Sequence, residues 1–198
     1  MMQKAVFLDR DGTIIEDPDF VTAPSQVRLL PGAAKAIKRF RALGFQVVVV
    51  SNQSGVARGF ITEEELGAIQ DRLVELLSAE GALLDGWYYC PFLDSDEAVV
   101  DAYRRESDLR KPAPGMLIRA ADDLDLDLDQ SWMIGDAERD IDAGLAVNCR
   151  TVLLHESHAG DADNSGQGIE TKADFVAGDL QAAAGIVEES IEKQSARH

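Results

Sequence analysis

Cysteine is scarce in this chain of 198 residues: Cys90 and Cys149 are its two. Two thiols cannot build a disulfide framework, so a small stapled secreted fold is excluded and nothing implies an oxidising compartment. Basic charge is short as well. Lysine and arginine number 19 against 36 acidic residues, for a formal net charge of -17. Such a surface repels phosphate backbones and anionic headgroups, so neither nucleic acid nor a membrane is an expected partner. Long apolar runs are missing too. No stretch approaches the length needed to span a bilayer. The opening "MMQKAVFLDRDG" meets charge too soon for a secretory leader. The cytoplasm is the expected compartment. An anionic substrate would need a local cation or metal to reverse this field.

What is present is an alternation of short apolar runs with longer amphipathic ones. With 45% hydrophobic residues, the chain can bury a real core. Strands are expected at 5–8 ("AVFL"), 45–50 ("FQVVVV"), 86–90, 131–135, 150–155 and 174–178. Helices are expected at 31–44, 62–81, 114–124, 138–148 and 179–193. Pro31 suits a first turn and Gly44 a helix end. Thr62 and Glu65 stand at capping-box spacing. Strand and helix in turn imply an α/β fold with a mostly parallel central sheet, helices on both faces. The chain reads as one domain over 1–193 with an insertion loop at about 91–109, a polar loop at 156–173 and a frayed tail at 194–198. The aspartates of "DDLDLDLDQ" read as a solvated connection, and Asp94, Asp96, Glu97 and Asp101 as a solvated face. His155 and His158 read as surface residues, since no ligand spacing accompanies them.

Open parallel sheets bind ligands beyond the carboxyl ends of their strands. After the first strand come Asp9, Arg10, Asp11, Gly12 and Thr13; after the second, Ser51, Asn52, Gln53, Ser54 and Gly55; after the fourth, Gly135 and Asp136, with Asp140 four further on. Lys111 lies in "LRKPAPG", just ahead of a helix. One site could then gather Asp9, Asp11, Ser51, Lys111 and Asp136. Bunched carboxylates repel one another unless a cation joins them. An all-oxygen set favours a hard ion, and magnesium beside a lysine and a hydroxyl makes a pocket for a phosphoryl group. A calcium loop of the EF-hand type does not fit, because Ile14 and Phe20 fall where that loop needs glycine and glutamate.

These residues carry a resemblance. "FLDRDGT", "VVVVSNQSG", "LRKPAPGM" and "MIGDAERD" resemble the four motifs of the haloacid dehalogenase (HAD) superfamily, over roughly residues 5–155. "DRDGTI", "NQSGVARG", "WYYCP" and "RKPAPGM" resemble the branch that holds heptose-bisphosphate and histidinol-phosphate phosphatases. The resemblance implies a Rossmann-like, three-layer sandwich without a large cap. It implies a magnesium-dependent phosphatase acting on a small phosphorylated metabolite, with a sugar bisphosphate as first expectation. Asp9 then corresponds to the nucleophile and Asp11 to the general acid/base. Ser51 and Lys111 correspond to the phosphoryl-holding groups. The magnesium ligands would be Asp9, the Asp11 main-chain carbonyl and Asp136, with Asp140 orienting the lysine. Gly12, Thr13 and Gly135 support the turns. Arg110 and the loop from Asp17 to Phe20 correspond to substrate contacts, and Asn52, Gln53 and Arg58 are further candidates. Arg28, Arg104 and Arg105 are other possible anchors for a second anionic group.

One departure stands out. The branch commonly carries a structural zinc on a CxH and a CxC pair. Here those places read Cys90-Pro91-Phe92 and Ser107-Asp108-Leu109, so one thiolate remains. A single thiolate does not hold tetrahedral zinc, and no structural zinc is expected. Phe92, Leu93, Val99, Val100 and Tyr103 are expected to anchor the insertion in its place. The alternatives are a histidinol-phosphate phosphatase, with Asp17, Asp19 and Asp108 facing a cationic substrate, or a non-catalytic phosphate- or partner-binding protein on the same scaffold. A nucleic-acid 3′-phosphatase fits the acidity badly. A monomer is the expected state.

Overall fold

A computed structural model describes residues 2–155 and 170–195. His158 and most of the 156–173 loop lie outside the described residues, as do the last three positions of the expected tail.

The chain runs β1 (Lys4–Leu8), α1 (Ala33–Ala42), β2 (Phe45–Asn52), α2 (Glu63–Ala79), β3 (Gly86–Cys90), α3 (Gly115–Leu124), β4 (Trp132–Gly135), α4 (Glu138–Leu145), β5 (Arg150–Leu154), β6 (Phe175–Ala177) and α5 (Leu180–Ser195). The strands form one six-stranded sheet in the order β3-β2-β1-β4-β5-β6. Every pairing is parallel. The chain winds outward from β1 to β3, then returns to place β4 on the other side of β1. That reversal opens a crevice above β1 and β4, where ligands bind in such sheets.

The β-branched run of β2 is explained by burial on both faces. Val47 and Val49 join Val6, Leu8 and Ile134 beneath α1, α2 and α5. Val48 and Val50 join Phe7 and Met133 beneath α3 and α4. Alternate residues thus serve opposite layers, and neither face tolerates polarity. Thr62 and Glu65 form the capping box at the start of α2, with Thr62 N–H to Glu65 Oε2 at 2.8 Å. Pro31 falls outside α1: Gly32 is the cap, at φ 82°, and a side chain there would collide with Gln181. The left-handed glycine, which also leaves room for Gln181 of α5, marks that boundary. α5 continues through Ser195, two residues past the expected end.

No large cap follows β1. Between Thr13 and α1 lie loops and one turn of 3₁₀ helix at Pro24–Gln26. The insertion after β3 folds back on the β2–α2 loop. Val99 and Val100 N–H both donate to Ala57 C=O, and Leu93 N–H donates to Tyr103 C=O. Leu93, Ala57 and Ala98 form a small core against Tyr103. The expected anchor holds at Leu93, packed against Tyr103, and at Phe92, whose ring lies 6.0 Å from that of Tyr103. It fails at Val99, which is 68% exposed: backbone bonds, not its side chain, fix that turn.

Candidate active site

β1 and β4 end side by side, and Asp9 N–H still donates to Ile134 C=O at 3.0 Å. The first turn beyond β1 is closed by the Arg10 carbonyl, which accepts from Thr13, Ile14 and Ile15. Gly12 sits at φ 72°, and a Cβ there would lie 2.3 Å from Asp136 Oδ2. Glycine is therefore what lets the β4 carboxylate approach the β1 loop. Gly135 plays the same part for Asp140, whose Oδ2 would be 2.4 Å from an added Cβ.

Lys111 is the hub. Its side chain is fully buried, with Nζ 2.8 Å from Asp9 Oδ1, 2.6 Å from Asp140 Oδ1 and 2.7 Å from the Val50 carbonyl. Burial opposes the ammonium, but Asp9 and Asp140 outweigh it and raise its pKa above the ordinary lysine value. Its backbone is clamped by Asn52: Oδ1 accepts from Lys111 N–H at 3.0 Å and Nδ2 donates to Lys111 C=O at 2.9 Å. Asn52 borders the cleft, yet its amide is spent on positioning the lysine. Asp140 is held from the other side by Ala137 N–H, 3.2 Å from Oδ2.

Oxygens of Asp9, Asp136 and Asp140 come within 4.8 Å of one another. Burial, then the charges of Asp9 and Asp140, push Asp136 up to about 6, against the pull of Arg139. Three carboxylates meet one ammonium here. The remaining double negative charge is what a divalent cation would cancel, and oxygen donors suit magnesium. The residues present fit that ion.

Asp11 is built differently. Its carboxylate is forked by Arg10, with Nε to Oδ1 and Nη2 to Oδ2 both at 2.9 Å. Gln53 Nε2 also donates to Asp11 Oδ2 at 2.9 Å and to Ser51 Oγ at 2.8 Å. Gln53 thus ties the acid/base candidate to the hydroxyl candidate, while its Oε1 accepts from Arg10 at 3.0 Å. The Asp11 side chain stands apart from the three clustered carboxylates, which leaves its main-chain carbonyl for the metal role drawn from the resemblance. Thr13 Oγ1 is buried without a hydrogen-bond partner among the described residues.

Above this floor opens a cleft of roughly 230 Å³. Asp9, Asp11, Asp17, Phe20, Asn52, Gln53 and Arg110 border it, as expected. Ser51 and Lys111 lie beneath as its buried floor. Asp136 opens on an adjoining groove that shares Asp17, together with Gly12 and Thr13. Arg58 does not border the cleft. It pairs with Glu97 at 2.7 Å and lies over the Phe20 ring, so it braces the wall. Arg28 donates to Ser25 and Val27 carbonyls, Arg104 pairs with Asp96, and Arg105 stacks on Phe92. None of these three borders the cleft as an anchor. Their partners are local, and sequence spacing hides that.

Asp19, expected in the substrate loop, borders the cleft too, whereas sequence reasoning gave no site role to Arg10, Phe60 or Arg139. Asp19 adopts φ 68° behind Pro18, which turns Phe20 against Phe60 edge to face at 4.9 Å. The "PD" pair was the available signal for that turn. Arg10 lay in plain view between two carboxylates.

A family model described as "HAD-hyrolase-like" matches residues 108–183. The chain is 38% identical over 185 residues to a D-glycero-D-manno-heptose-1,7-bisphosphate 7-phosphatase of Thermosynechococcus vestitus, covering 92% of this chain and 94% of that one. It is 39% identical over 150 residues to the D-glycero-beta-D-manno-heptose-1,7-bisphosphate 7-phosphatase of Escherichia coli K12, covering 76% and 78%. Among solved structures it resembles the D,D-heptose 1.7-bisphosphate phosphatase from B. bronchiseptica complexed with magnesium and phosphate. That likeness has a TM-score of 0.77 and 31% identity, over 94% of this chain and 99% of that one. The chain belongs to the family of HAD-like phosphatases that contains the D-glycero-D-manno-heptose-1,7-bisphosphate 7-phosphatases.

Proposed function

We propose that this chain is a magnesium-dependent phosphatase that hydrolyses a sugar bisphosphate, with D-glycero-D-manno-heptose 1,7-bisphosphate as the leading substrate. The observation that carries the reading is the meeting of Asp9, Asp136 and Asp140 at the ends of β1 and β4, with Lys111 paired to Asp9 and Asp140. The names of the relatives support the substrate class.

Asp9 is the nucleophile. Its carboxylate attacks phosphorus while Asp11 gives a proton to the departing sugar oxygen. In the second half, Asp11 takes a proton from water as that water attacks the aspartyl-phosphate, releasing phosphate and restoring Asp9. Lys111 and Ser51 hold the phosphoryl oxygens as charge moves onto them. Arg10 and Gln53 hold the Asp11 carboxyl at the cleft wall between these two duties. Magnesium, held by Asp9, Asp136 and the Asp11 carbonyl, would screen the carboxylates and draw charge from the phosphoryl group. Asp17 and Asp19 offer acceptors for sugar hydroxyls, while Arg110 favours an anionic substrate over a cationic one such as histidinol phosphate.

We read the chain as one domain over 1–193, a cytoplasmic monomer without structural zinc. Both cysteines are free and buried, and Phe92, Ser107 and Leu109 stand where further zinc ligands would be needed. The deciding experiment is phosphate release from a panel of heptose and hexose bisphosphates, hexose monophosphates and histidinol phosphate, with magnesium. Preference for histidinol phosphate, or no release from any member, would overturn the reading. Stoichiometric zinc in the purified protein would overturn the zinc assignment.

A further inference from the structure

Three arginines border the cleft, Arg10, Arg110 and Arg139, and Arg58 braces its wall. Arg10 is committed to Asp11 and Gln53, and Arg58 to Glu97. Arg110 is half-buried and gives one N–H to the Phe92 carbonyl, 3.2 Å away. Arg139 alone borders the cleft with no ion pair or hydrogen bond among the described residues.

Its position in α4 runs against the helix dipole. Ala137 is the helix cap, so Arg139 stands in the first turn, where the helix dipole favours anions and opposes cations. The other charged residues of that turn, Glu138 and Asp140, follow the rule. Arg139 breaks it and sits exposed at the rim. It lines the same cleft as Arg110, whose pKa is lowered by burial first and then by the charges of Arg139 and Arg58, against the pull of Cys90. Asp17, Asp136 and Asp140 also feel the Arg139 charge, so an anion entering beside the two arginines exchanges those carboxylates for its own oxygens. The reacting phosphate already has Lys111 and Ser51 beneath it. The rim cations are surplus to that group, and Asp17 and Asp19 on the same wall make the cleft hostile to any anion without them.

We infer that Arg139 is a specificity-determining residue, clamping with Arg110 the second phosphate of a bisphosphate substrate, the one that does not react with Asp9. The inference rests on the sugar-bisphosphate reading and adds to it a residue and a place for the second anion. A guanidinium offers a planar fork to two phosphate oxygens, which an ammonium cannot match.

The test is equilibrium binding by calorimetry, with magnesium present, using non-hydrolysable probes: a hexose bisphosphonate and the corresponding monophosphonate. The readout is the ratio of the two affinities, so a general loss of binding does not move it. Wild type should favour the bisphosphonate. Arg139→Gln should shrink that preference about tenfold or more, the worth of a charge-assisted contact. Arg139→Lys should restore part of it. Arg119→Gln, on an exposed arginine of α3 away from the cleft, should leave it where it was. An equal ratio in wild type and Arg139→Gln, or no preference in wild type, overturns the clamp. Turnover of sugar bisphosphates by wild type is measured separately, so failure of the substrate reading is seen apart from failure of the clamp.

Discussion

The floor and the mouth of the cleft follow different rules. On the floor, Lys111, Asp9, Asp140 and Ser51 are buried, and each is fixed by a strand end or by a bond to a strand-end residue. At the mouth, Phe60 is exposed on a loop and Arg139 in the first turn of α4. The floor has one solution, because buried charges must find partners. The mouth can vary at small cost to stability, and there a scaffold of this kind is free to choose its substrate.

The sharpest way to break this contrast is at Asp9. Asp9→Asn should lower turnover of p-nitrophenyl phosphate by about a thousandfold or more, with the fold intact by circular dichroism. Substantial remaining turnover would remove the nucleophile from the floor. Next is Lys111→Met, which strands two buried carboxylates. Loss of one partner from a buried pair costs about 3–5 kcal/mol, so urea unfolding should show a loss of that order along with lost activity. A mild effect would mean that the floor is not the tightly matched cluster described.

Asp136 lies between the two regimes, at the rim of the floor. Its folded pKa, raised to about 6, lies above the unfolded value, so its protonated form favours folding. That contribution is present below about pH 4 and is lost as pH rises through about 6. Metal-free protein should therefore lose stability over this window, and magnesium should add melting temperature mainly above pH 6. Asp136→Asn should flatten the metal-free profile, by under about 1 kcal/mol because solvent screens the group, and should cancel the magnesium effect. A mouth substitution such as Phe60→Ala, which removes one half of an exposed aromatic pair, should change stability by no more than about 1 kcal/mol. Its main effect should be on KM.

The same contrast explains what could be read from the sequence. β1, β2 and β4 were legible because double-sided burial demands unbroken apolar runs, and the polar residues that end them must lie at one edge. Asp9, Ser51, Lys111 and Asp136 follow from that edge. Arg58 and Arg139 were not legible. Which way a loop or first-turn side chain points depends on neighbours distant in the chain: Glu97 for Arg58, and the shared opening with Arg110 for Arg139. The fork of Arg10 on Asp11 was hidden for another reason: adjacent residues on a strand face opposite ways, and only the tight turn after Leu8 brings the two side chains together.

The most direct measurement is to trap the covalent intermediate. Enzyme quenched in acid during turnover with magnesium, then reduced with borohydride and digested, should yield homoserine at position 9 by peptide mass spectrometry, and none when magnesium is withheld. Turnover that leaves Asp9 unmodified, or homoserine found at position 11 or 136 instead, would contradict the account.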